Sequence, residues 1–140
     1  DDETGTTDDG WIWERFRVHH EDSVDPNGYR FVSKNGASLV HSGDSGPCEA
    51  LYDAIAKSEL AVVEMGLPEW VDSDHHHKPS DIRSLAELYP KTKMVITHTF
   101  IDDKNSEFPA ITESEFPTHP LNVHHASDGK GWACLEQPVR

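Results

Sequence analysis

Apolar and polar residues alternate over residues 11–20, with Ile12, Phe16 and Val18 on one side, which predicts a strand with one face buried. A polar loop follows over residues 21–27. Residues 29–34 and 37–42 then flank Asn35-Gly36, a pair suited to the positive φ angles of a tight hairpin turn. The period changes at residues 47–58, where Leu51, Ala54 and Ile55 share one helical face and Pro47 suits the first turn. Residues 60–65 are continuously apolar, as in a strand buried on both faces. A second helix is predicted from a Ser80 cap to about Tyr89, with Ile82, Leu85, Ala86 and Tyr89 inward and Pro90 as its stop. Residues 93–98 read as another buried strand. Residues 102–120 read as loop, and residues 122–126 and 132–136 as a final hairpin across Asp128-Gly129. Acidic residues 1–10, rich in Gly and Thr, read as a flexible lead-in to one domain over residues 11–140. Strands first, then helix–strand–helix–strand, predict an α/β layered sandwich with a mixed sheet.

Composition narrows the function. The 140 residues carry a formal net charge of −14, which argues against nucleic-acid binding through a basic surface. No apolar run is long enough to span a membrane and no targeting signal is visible, so the expectation is a soluble, cytoplasmic protein without membrane contact. Cys48 and Cys134 are too few for a disulfide framework. They read as buried thiols, with a single disulfide between them as the alternative. Ten histidines are the compositional feature that most needs explaining, because imidazole is the commonest metal-ligating side chain.

The strand ends supply a reason. The predicted strands terminate at His20, Asp44, Glu64 and His98. In open α/β sheets the crevice at the carboxyl ends of the strands is where ligands bind. Asp44 sits in Ser42-Gly43-Asp44-Ser45-Gly46, where the glycines permit a sharp turn that brings a carboxylate close to a cation. Two carboxylate oxygens can serve two ions, and mixed imidazole and carboxylate ligands suit zinc, iron or manganese. The alternative for Asp44 is a helix N-cap. Glu64 is expected to orient a ligating histidine rather than to ligate directly. A second cluster, Asp74-His75-His76-His77, precedes a helix N-terminus, where a histidine can act as general acid towards a substrate oxygen; the alternative is a solvated polar loop. His119, His124 and His125 show no ligand spacing and are expected to be structural or on the surface, and Asp102 and Asp103 solvated.

The stretches VHHEDSVDPNGYRF, LVHSGDSGPCEAL, LAVVEMGLPE, HHHKPSDIRSLAELYP and TKMVITHTF, in this order, resemble the second half of a metallo-β-lactamase-fold hydrolase. The likeness is to the branch with tRNA 3′-processing endonucleases, arylsulfatase-like enzymes and class II cyclic-nucleotide phosphodiesterases. It covers roughly residues 12–100, and ASDG near the end is similar too. The resemblance implies half of an αββα sandwich. It matches Asp44 to the carboxylate that bridges two metal ions, and His98 and His20 to metal-binding histidines. His19 competes with His20, which continues the inward phase of Phe16 and Val18. The proline and aspartate register matches His76 to a substrate-facing acid, one step from His77.

One departure is decisive. The first metal motif of that family, His-x-His-x-Asp-His, does not occur in these 140 residues. A partner polypeptide or an upstream segment is therefore expected to carry it and to cover an otherwise exposed apolar face. The implied function is two-metal hydrolysis with zinc, or manganese or iron. The preferred reaction is phosphodiester cleavage of a small molecule, with ester, lactone or β-lactam hydrolysis open. The competing reading is a non-catalytic interaction domain that keeps the fold.

Overall fold

The structure, a computed structural model, describes residues 3–100 and 120–133. Its elements are β1 (Thr4–Thr6), β2 (Ile12–Arg17), β3 (Asn27–Val32), β4 (Ser38–His41), α1 (Glu49–Ala56), β5 (Leu60–Glu64), α2 (Pro79–Leu88), β6 (Lys93–Thr97) and β7 (Val123–His125). The strands form one sheet in chain order, antiparallel from β1 to β4 and parallel from β4 to β7. This is the expected mixed sheet. Because β2, β4, β5 and β6 run the same way, their carboxyl ends meet at one edge of the molecule.

Pleating separates the two faces. The register Val40–Ala61–Met94–Val123, with Val63 opposite Ile96, makes one face continuously apolar. Leu51, Ala54 and Ile55 of α1 and Ile82, Leu85 and Ala86 of α2 pack into the same buried cluster. Phe16 and Tyr52 close its margin. The opposite face carries the row Trp13–Phe31–Leu39–Leu60 and the row Tyr29–His41–Val62–Val95. Trp13, Phe31, Leu39 and Val62 there are only half-buried, and Tyr29 is exposed.

Several expectations need correction. Ile12 was expected inward with Phe16 and Val18. It is 55% exposed, because β2 lies near the sheet edge and the helices do not extend over its start. Residues 4–6, inside the expected flexible lead-in, form edge strand β1; they hydrogen-bond to β2, and the Trp13 ring lies over Gly5. α1 is capped at Cys48, not by Asp44. α2 starts at Pro79 with Lys78 at the N-cap. Asp81 accepts the Lys78 backbone N–H at 2.9 Å, while Ser80 bonds Glu69 instead of capping. Residues 123–125 add to β6 in parallel. The expectations for residues 102–119, residues 134–136 and Cys134 lie outside the described residues, and with them the disulfide alternative. Among the described residues, no helix is long and apolar enough to cross a membrane.

Truncating Ile55, which is fully buried, should cost about 2–5 kcal/mol. Ile12→Ala should stay within about 0.5 kcal/mol of wild type. Urea unfolding of both variants checks the assignment of faces, and equal losses would contradict it.

Candidate metal centre

The carboxyl-end crevice is built around a buried carboxylate. Glu64, the last residue of β5, is 1% exposed. Its Oε1 accepts the Ser45 N–H at 2.9 Å, and its Oε2 accepts the Gly66 N–H at 2.7 Å. The same Oε1 lies 2.7 Å from His76 Nδ1. Burial pushes the Glu64 carboxyl up to about 7 despite these donors. Burial first, then the charge of His20, lowers His76.

Around this base, the groups expected at the strand ends gather. His98 follows β6 with φ 46°, a left-handed backbone that costs a non-glycine residue about 1–2 kcal/mol. Its Nε2 lies 3.7 Å from Asp44 Oδ1. The His76 ring centroid is 4.9 Å from that of His20 and 5.8 Å from that of His98. His20 donates Nδ1–H to the His75 carbonyl at 2.9 Å, since a carbonyl only accepts. That fixes the tautomer and leaves Nε2 without a proton, the form in which an imidazole can ligate a metal. Two imidazoles and a carboxylate, half-exposed at one crevice, suit a borderline divalent cation. The fit is open rather than closed. Among the described residues, the His and acidic groups whose ligand atoms all lie within 4.8 Å of one another are His19, Asp74 and His75, not His20, Asp44 and His98.

The two glycines flanking Asp44 serve different ends. Gly43 has φ 61°, and a Cβ there would meet the Asn27 carbonyl at 2.6 Å. At Gly46 no positive φ is involved. A Cβ would stand 1.6 Å from the Asp74 carbonyl oxygen, so space alone demands glycine. Gly46 also bridges to His19, its N–H bonding the His19 carbonyl at 2.8 Å.

Of the three consecutive histidines, His77 is structural. It is fully buried, donates Nδ1–H to the Ser45 carbonyl at 2.6 Å, and stacks on Tyr52, whose hydroxyl lies 3.5 Å from His77 Nε2. Burial lowers its pKa to about 4. His75 turns towards His19 and Asp74. Sequence reasoning weighed His19 only as a rival to His20 and missed its contact with Asp74. The His19-His20 doublet was the available signal, because neighbouring residues on an extended chain point to opposite sides. His124 packs against Trp132, as expected of a structural residue.

No protein-family profile matches the chain. It is 28% identical over 79 residues to a ribonuclease Z of Methanosarcina acetivorans, a match covering 54% of this chain and 26% of the relative. The solved metallo-β-lactamase fold protein YhfI from Bacillus subtilis aligns with TM-score 0.70 and 16% identity, over 94% of this chain and 52% of its own. An isothiocyanate hydrolase from Delia radicum gut bacteria aligns with TM-score 0.71 and 13% identity, over 94% and 58%. The chain therefore has the metallo-β-lactamase fold, as one half of its αββα sandwich: a mixed sheet with two helices on one face. It spans about a quarter of the ribonuclease Z and about half of these solved structures.

The buried His77 generates a pH test. Its folded pKa of about 4 lies below the ordinary 6.5, so between these values the unfolded chain binds the extra proton. Its contribution is complete above about pH 6.5 and is lost as pH falls to about 4, on the order of 3 kcal/mol. Glu64 acts in the opposite sense: its raised pKa adds stability as pH falls from about 7. In urea unfolding of the metal-free chain, the stability gap between wild type and His77→Gln should narrow by that amount from pH 7 to pH 4. A constant gap would mean that His77 titrates normally.

Proposed function

We propose that the chain is the C-terminal half of a metal-dependent hydrolase whose reaction takes place at the crevice of His20, Asp44, His76 and His98. The observation that carries this reading is their convergence at the carboxyl ends of β2, β4, β5 and β6, above a buried Glu64 that holds His76 at 2.7 Å. His20, Asp44 and His98 would hold divalent ions, zinc first and manganese or iron as alternatives. When bound, two such ions supply a water ionised near neutral pH and neutralise developing charge on the substrate. His76 does the protein's own proton work. With Nδ1 on Glu64, its Nε2 is the atom left to give a proton to the leaving oxygen, and Glu64 orients the ring for that step.

The substrate class is a small phosphodiester. The ribonuclease Z similarity supports phosphodiester chemistry, while the charge of −14 disfavours a long polyanion. The half-buried row of Trp13, Phe31 and Leu39 supports a partner half, in this polypeptide or another, that carries His-x-His-x-Asp-His and lays a second sheet over this face. The absence of that motif here also supports a second reading, a non-catalytic interaction domain with this fold.

In the assembly with its partner half, Asp44→Ala should lose most bound metal by mass spectrometry. His76→Ala should keep the metal and lose about 10²–10⁴-fold in turnover of a phosphodiester. Metal-free, inactive wild-type assembly would favour the interaction domain. The partner half itself is tested by sedimentation: at dilution, the chain on its own should self-associate or bind the co-expressed half. A stable, monodisperse monomer of 15.7 kDa would count against that half.

A further inference from the structure

A second cluster of ligating side chains lies beside the crevice and takes no part in the chemistry above. We propose that His19, Asp74 and His75 form a separate transition-metal site, with zinc the preferred ion, that fastens the loop carrying His76 to the end of β2.

The donors are already assembled. Asp74 Oδ2 lies 3.0 Å from His19 Nε2, and Asp74 Oδ1 lies 3.8 Å from His75 Nε2. All three ligand atoms lie within 4.8 Å of one another. An ion bound at about 2.0–2.2 Å from each would draw them to roughly 3–3.5 Å apart, a small side-chain rotation from the observed positions. The 3.0 Å contact of His19 Nε2 is close enough for an ion pair but not aligned as a hydrogen bond. The atom is buried and, among the described residues, makes no aligned hydrogen bond. Coordination would satisfy it.

The backbone holds this arrangement in advance. His19 is bridged to Gly46, and the Asp74 carbonyl fills the space where a Gly46 side chain would be. Both ends of the cluster are therefore packed through one glycine, and the loop cannot drift from the strand end without opening that contact. Two imidazoles and one carboxylate are a borderline set that binds zinc, cobalt and nickel. Three protein ligands leave a coordination position for water. The site is distinct from the crevice, because His20 lies one residue on and its Nδ1 is committed to the His75 carbonyl.

The experiment separates this site from the proposed catalytic one. The full chain carrying Asp44→Ala and His98→Asn is titrated with Co²⁺ and followed by visible absorption and by equilibrium dialysis. One equivalent should still bind. Adding Asp74→Asn or His75→Ala should abolish it, and Zn²⁺ should displace Co²⁺. In the otherwise unaltered chain, Asp74→Asn should lower the stoichiometry by one equivalent, which serves if the double variant fails to fold by circular dichroism. Zinc titration should also shift the His19 and His75 ring resonances. No binding to the folded double variant, or an equivalent that survives both Asp74→Asn and His75→Ala, overturns the proposal, whatever the fate of the hydrolase reading.

Discussion

The arrangement of the crevice depends on one buried carboxylate. Glu64 reaches from the end of β5 to the backbone of Ser45, to the backbone of Gly66 and to the ring of His76. Its own N–H is fixed in turn by the Ser42 hydroxyl at 3.1 Å. Each contact ties a different segment. Ser45 belongs to the turn that presents Asp44, Gly66 starts the excursion after β5, and His76 ends that excursion. A carboxylate in a buried position is costly unless its oxygens are occupied. The three donors meet that need, and in doing so they set the mutual positions of the groups that face solvent. Removing the carboxylate would leave the buried Ser45 N–H and the half-buried Gly66 N–H without this acceptor and would free the loop at the same time.

His77 complements this from the other side. Its proton on Nδ1 goes to the Ser45 carbonyl, so Ser45 is clamped by its N–H to Glu64 and by its C=O to His77. The turn carrying Asp44 is therefore held at one residue, through the two peptide units on either side of it. A neutral imidazole suits this, because its tautomer is dictated by the carbonyl and it brings no charge into the core. Two adjacent histidines thus have opposite characters, one half-buried at the crevice and one sealed inside.

Much of this was legible along the chain. The direction of β2, β4, β5 and β6 and the gathering of His20, Asp44, Glu64 and His98 at one end follow from the order of strand and helix patterns alone. The turn at Asn35-Gly36 was equally plain. What escaped reading depends on contacts between distant segments. Nothing local distinguishes Gly46 from a turn glycine, because its constraint comes from the Asp74 carbonyl. Nothing local separates His77 from His76 either, since both lie in one polar run and only packing against Tyr52 and Ser45 decides. Residues 4–6 look like tail because Thr and Gly side chains carry little apolar signal; the strand exists through its hydrogen bonds to β2. Ile12 misleads in the reverse direction, as a β-branched residue that favours a strand whether or not anything covers it.

The strand order carries a consequence for how the molecule is made. Each strand lies beside its chain predecessor, so the sheet has no place where a later strand must be wedged between two earlier ones. As the chain leaves the ribosome, each new strand finds a ready template at a growing edge, and the parallel additions of β5 and β6 each bring a helix that roofs the strand just laid down. The nascent sheet is thus never a closed ring waiting for its last member. At every stage it grows at an open edge, and among the described residues the last strand added there is the three-residue β7.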